Sequence, residues 1–236
     1  TLVEGVHFFS DVDAKKLGHK SLAVGLSDLA AMGARPAWFT LALSLPEIDE
    51  SWLAGFSQGL AELATEHNIQ LVGGDTTRGP LTISIQVHGF VKAETALKRS
   101  GAKAGDKVYV TGTLGDAGAA LQLQLEQADN ESFSTDEQRY LQQRLEQPTP
   151  RVELGQKLIG LASSAIDISD GLLADLGHIL KQSEVGVCLD LAALPLSPVL
   201  DKMNRTDAEK LALQSGDDYE LCFTVAEEWT TQVEQR

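Results

Sequence analysis

Ala165-Ile-Asp-Ile-Ser-Asp-Gly-Leu-Leu173 is the stretch on which the reading of this chain turns. A short apolar run, Ala165 to Ile168, reads as a strand. It passes through one turn into a helical pattern from Asp170 to Gln182. Asp167 sits between two isoleucines, where a purely structural strand would carry an apolar side chain, because burying a lone carboxylate is costly. Asp170 stands where an N-cap belongs, and Asp is among the best N-caps. Capping does not account for Asp167. Two carboxylates and the Ser169 hydroxyl at one strand end suit a hard cation, which prefers oxygen ligands.

Working outward, strands and helices alternate along the whole chain. The spacing predicts helices over Lys15–Gly33, Trp52–His67, Asp136–Glu146 and Arg151–Ala162, and a helix from Asp116 to about Gln127. Strands are expected at Ala37–Leu45, Leu81–Val91, Lys107–Thr111, Gly186–Leu191 and Glu220–Val225, with a short buried one at Ile69–Val72. Asp129–Thr135 reads as a polar surface loop, and Ala226–Arg236 as the first turns of a helix that continues. Both ends of the chain look cut. Lys92–Asp106, with Gly101 and Gly105, is the expected boundary between a domain over 1–95 and another over 96–236. The class is α/β or α+β.

Three more segments place Asp beside Gly or Ser. In Leu26-Ser-Asp-Leu-Ala-Ala-Met-Gly33, Asp28 lies inside a helix among apolar and small residues; it marks either the solvated stripe of that helix or a metal ligand at the mouth of a cleft. In Leu71-Val-Gly-Gly-Asp-Thr-Thr-Arg-Gly79 a strand runs into paired glycines and then Asp75. Gly73 and Gly74 would let backbone N–H groups approach an anion, and Asp75 would hold Mg²⁺ between phosphate oxygens. Ser215-Gly-Asp-Asp-Tyr-Glu220 is a turn into a strand whose acids could meet a cationic or metal-bound ligand. Arg99 and His7 are weaker candidates, for a phosphate and for a substrate respectively.

Composition narrows the classes. The chain has 236 residues, 43% of them hydrophobic, enough for a sizeable core. A formal charge of −15 argues against nucleic-acid binding. No apolar run reaches the roughly 18 residues that span a bilayer, and no signal peptide opens the chain. Cys188 and Cys222, the only cysteines, lie in apolar strand-like runs and read as small buried hydrophobes, in keeping with a reducing, cytoplasmic setting. A P-loop, the protein-kinase motif set, zinc spacing and a G-x-S-x-G elbow are all missing. Asp167-x-x-Asp170-Gly lacks the Asp-x-Asp of haloacid-dehalogenase phosphatases.

Seven segments in this order resemble the thiamine-monophosphate kinase family, of the superfamily that includes aminoimidazole ribonucleotide synthetase. They are Glu4-Gly-Val-His-Phe8, Leu26-Ser-Asp-Leu-Ala-Ala-Met-Gly-Ala34, Gly73-Gly-Asp-Thr-Thr-Arg-Gly79, Arg99-Ser-Gly-Ala102, Val110-Thr-Gly-Thr-Leu-Gly-Asp116, Asp167-Ile-Ser-Asp-Gly-Leu172 and Asp218-Tyr-Glu-Leu221. The resemblance implies a two-domain α/β fold, a homodimer paired through its N-terminal sheets, and ATP-dependent conversion of thiamine phosphate to thiamine diphosphate. It further implies Mg²⁺ on Asp28, Asp75, Asp167 and Asp170, ATP on Gly74, Asp75, Arg99 and Ser169, and thiamine phosphate near His7 and Asp217. Relatives often read Gly-Gly-Glu-Asp-Tyr-Glu where this chain has the shorter Asp217. Family segments preceding residue 1 and following residue 236 are missing. No nucleophile or general base is expected, since an acceptor phosphate is already ionised at neutral pH. Other superfamily synthetases, or a non-catalytic nucleotide-binding relative, are the alternatives. The arrangement demands that carboxylates 28, 75, 167 and 170 gather within a few ångströms.

Overall fold

A computed structural model describes residues 1–125 and 133–235. The first half holds β1 (Leu2–Val3), α1 (Ala14–Ala31), β2 (Arg35–Leu45), α2 (Glu50–Glu66), β3 (Gln70–Arg78) and β4 (Thr82–Phe90). The second half holds β5 (Lys107–Val110), α3 (Asp116–Gln124), α4 (Thr135–Glu146), α5 (Val152–Lys157), β6 (Ala162–Asp167), α6 (Leu172–Ser183), α7 (Arg205–Gln214), β7 (Leu221–Val225) and α8 (Thr230–Glu234). The expected loop over 129–135 lies largely outside the described residues.

Two sheets form. The first has the order β1-β4-β2-β3, with β2 parallel to β3 across the α2 crossover and antiparallel to β4. The second is antiparallel, β5-β7-β6, with β7 buried along its whole length. α1 lies at the centre. Asp13 caps it by accepting the Lys16 N–H at 3.0 Å, and Leu17, Leu22, Leu26 and Leu29 bury its apolar stripe. One core joins Phe39, Leu22 and Leu26 to Ala165, Phe223 and Val225, so α1 is packed by elements of both sheets.

Several expectations need correction. The strand expected to be short and buried at Ile69–Val72 becomes β3, which continues through Gly73, Gly74 and Asp75 to Arg78. It is an edge strand paired on one side only, so Leu71 and Val72 are exposed. No strand forms over 186–191: that stretch is irregular, and Leu189 satisfies its apolar character by packing on the α6 core. Cys188 is accordingly exposed, whereas Cys222 in β7 is buried as expected. α5 ends at Lys157, five residues early, because turns carry the chain into β6 at Ala162. α7 went unread, although Asn204 caps it and Ala208, Leu211 and Ala212 mark its buried face.

Candidate functional site

The site grows from the carboxyl end of β6. Asp167 is 6% exposed, and Ser27 Oγ on α1 donates to its Oδ2 at 2.8 Å. Burial, and then the neighbouring Asp28 carboxylate, push the Asp167 pKa up to about 6. Asp28 opens to solvent on one side. The protein packed on its other side raises its pKa, and the Arg99 guanidinium partly offsets that rise. Arg99 is brought there because Ala165 donates its backbone N–H to the Lys98 carbonyl at 2.9 Å, laying the 98–102 segment beside β6. Asp28 is thus exposed, as a solvated stripe would have it, and also lies beside the Asp167 carboxylate.

Beyond Asp167 two loops lock together. Asp217 N–H donates to Ser169 O at 3.0 Å, Tyr219 N–H to Ile168 O at 2.8 Å, and Ile168 N–H to Glu220 O at 2.7 Å. The loops approach so closely that a Cβ on Gly216 would lie 2.3 Å from the Ser169 carbonyl oxygen. Asp217 and Tyr219 adopt φ values of 66° and 49°, a left-handed conformation that non-glycine residues rarely hold. Asp170 is not the N-cap of α6. Gly171 takes that position without a side-chain bond, and buried Asp175 accepts the N–H groups of both Ser169 and Asp170 at 2.9 Å. The Asp170 carboxylate is exposed and makes no hydrogen bond or ion pair among the described residues.

A cleft of about 690 Å³ opens over these loops. His7, Lys20, Ser169, Asp170, Asp217 and Tyr219 contribute to its wall. Lys20 Nζ reaches Asp217 Oδ2 at 3.2 Å, and His7 Nδ1 accepts the Val3 N–H at 3.1 Å, which folds the first loop over the cleft. The segment that carries Asp217 runs on into an ionic network. Glu220 takes two 2.6 Å hydrogen bonds from Arg151, one at 3.0 Å from Arg144 and one from Thr111. Burial pushes the Glu220 pKa up, but these cations outweigh it and hold the carboxyl below its usual value. Asp218 accepts the Gly115 N–H with both oxygens, and burial raises it to about 7. Sequence reasoning did not reach Lys20, Asp175 or this network: Lys20 meets Asp217 across 197 residues and Arg151 meets Glu220 across 69, and Asp175, close in sequence to the loop it holds, reads as an ordinary first-turn helix acid.

Asp75 lies elsewhere. It pairs in register with Ala42, and Ala42 with Ser84. Side chains alternate along a strand, so these three share the sheet face opposite Phe39, Leu43 and Ile83, which are buried. Gly74 serves the sheet: a Cβ there would fall 1.8 Å from the Leu41 carbonyl oxygen, whereas Gly73 meets nothing within 4 Å. The gathering of carboxylates is therefore partial. Asp28 and Asp167 pair and Asp170 follows three residues past the strand end, but Asp75 stands on the outer face of β3. Among the described residues no three His, Cys, Asp or Glu side chains form a ready-made metal cage. The chemistry still fits a hard cation supplied with its own phosphate ligands. Asp167 is a buried carboxylate that, among the described residues, takes a side-chain hydrogen bond from Ser27 alone and lies next to a second carboxylate, and a divalent ion would relieve that repulsion.

A central helix held between two sheets, with acids at a strand end, defines the class. The chain belongs to the AIR synthase related family: the N-terminal domain model of that family matches residues 1–91 and its C-terminal domain model matches residues 103–234. The branch within it is that of the thiamine-monophosphate kinases. The thiamine-monophosphate kinase of Escherichia coli strain K12 is 53% identical over 231 residues, covering 96% of this chain and 70% of that protein. The crystal structure of the enzyme from Stenotrophomonas maltophilia K279a superposes with a TM-score of 0.94 at 50% identity, covering 99% of this chain and 75% of the other. AaThiL in complex with AMPPCP and TMP superposes with a TM-score of 0.87 at 33% identity, covering 96% and 74%. Among the described residues no helix is long and apolar enough to cross a membrane.

Proposed function

We propose that this protein transfers the γ-phosphoryl group of ATP to thiamine phosphate, giving thiamine diphosphate and ADP. The observation that carries the reading is identity of about half the residues to thiamine-monophosphate kinases over nearly the whole chain. AaThiL accommodates AMPPCP and TMP together, as an enzyme joining two anions must. An acceptor phosphate oxygen attacks the γ-phosphorus, the bond to the β-phosphate oxygen breaks, and ADP carries away the electron pair. The acceptor is already ionised, so no side chain needs to remove a proton. What this chain supplies is position and charge. Asp28, Asp167 and Asp170 would hold Mg²⁺ from the α1–β6 side, and Asp75 from β3. Bound there, Mg²⁺ supplies neutralisation of phosphate charge. Gly74, Asp75, Arg99 and Ser169 would face ATP, and His7 and Asp217 the thiamine phosphate.

The same reading includes a homodimer paired through the open faces of the first sheet, a cytoplasmic location, and a domain division near residue 95. The test is turnover: ATP and thiamine phosphate incubated with the full-length protein, with and without Mg²⁺, scored for thiamine diphosphate. Mg²⁺-dependent product is expected, and absence of product under all conditions would refute the assignment.

A further inference from the structure

α1 carries Lys20 and, eight residues on, Asp28; at 1.5 Å per residue they are about 12 Å apart along the axis. Asp28 faces Asp167 and Arg99, whereas Lys20 faces the cleft that holds His7, Ser169, Asp170 and Asp217. Among the described residues Lys20 is the one Lys or Arg on the wall of that cleft, where Asp11, Glu146, Asp170 and Asp217 are acids. Its side chain is 7% exposed, an expensive place for an ammonium. Among the described residues its sole hydrogen bond runs to Asp217 Oδ2 at 3.2 Å, on a side chain that is 33% exposed. An ammonium has three donors, and two of them remain for something in the cleft. A cation whose whole task was to pin Asp217 would not need to be buried at the wall of an open cavity.

We propose that Lys20 binds the phosphate of the acceptor, sharing its ammonium between that phosphate and Asp217, and so makes the cleft prefer thiamine phosphate to thiamine. The surrounding carboxylates suit the cationic thiazolium, which carries the phosphate on its hydroxyethyl arm, so the cleft matches a zwitterion. This inference rests on the functional reading above and adds the residue that senses the acceptor's phosphate.

Calorimetric titration of the full-length protein with thiamine phosphate and, separately, with thiamine tests it. For Lys20→Met and Lys20→Gln, affinity for thiamine phosphate is expected to fall about tenfold or more, the loss of one charge-assisted hydrogen bond, while affinity for thiamine changes less than about twofold. Lys20→Gln keeps a polar head and serves if the Met variant melts early. Equal loss for both ligands would mean that Lys20 acts only through the Asp217 loop and would overturn the proposal, as would unchanged thiamine phosphate affinity or a wild type that binds both alike. A wild type that neither binds nor phosphorylates thiamine phosphate would instead refute the functional reading, and this inference with it.

Discussion

Ser27 Oγ on α1 donates a 2.8 Å hydrogen bond to Asp167 Oδ2 at the end of β6, across 140 residues of sequence. It is a direct polar link between the helix that carries Asp28 and the strand that carries Asp167, and it holds ionised a carboxyl that burial and Asp28 push towards neutrality. Ser27→Ala removes that support. The Asp167 pKa should climb above about 6. If Asp167 holds Mg²⁺ as a carboxylate, as proposed, the acid limb of the pH–rate profile should move to higher pH by roughly half a unit to one unit. Stability near pH 8 should fall by about 1 kcal/mol. An acid limb that stays in place would separate Asp167 from the chemistry.

Asp175 positions the Ser169–Asp170 loop through two backbone N–H groups. Asp175→Asn keeps one acceptor oxygen and loses the charge. The expected outcome is a kcat lower by about tenfold and a higher Mg²⁺ concentration for half-maximal rate, with a thermal melt near that of the wild type. A normal Mg²⁺ titration would show that the loop holds its shape without Asp175.

Asp218 provides a pH test of stability. Its folded pKa, about 7, lies above the ordinary value of 3.8, so its protonated form is favoured on folding. The contribution is full below pH 3.8 and is lost as pH rises through about 7. Asp218→Asn cannot titrate and still accepts one bond from Gly115. Relative to wild type it should gain stability between pH 5 and pH 8, by on the order of 2 kcal/mol. Denaturant unfolding at the two pH values checks the sign, and a constant difference would rule out the raised pKa.

Gly74 and Gly73 are adjacent and should behave differently. Gly74→Ala sets a methyl group 1.8 Å from the Leu41 oxygen and must push β3 off β2. A loss of about 2 kcal/mol or more is expected, seen as a lower Tm. Gly73→Ala meets open space and should stay within about 0.5 kcal/mol. Equal effects would mean that both glycines serve the same purpose.

The sequence by itself determined the alternation of elements, the bounds of α1 and β2 to within a few residues, and the segments that build the cleft. It could do so because helix and strand periods, caps and Asp-Gly turns are set by neighbours within one or two turns of chain. Packing decided the rest. Whether β3 is buried depends on there being no strand beyond it, and the face Asp75 takes depends on its register with Ala42. The stretch 186–191 has strand-like composition but no ladder, which left Cys188 exposed. Lys20 meets Asp217 across 197 residues, and Ser27 meets Asp167 across 140, only because α1 is packed between the two sheets. Charge pairs of that kind are properties of an interface between elements, and no window of sequence contains both partners.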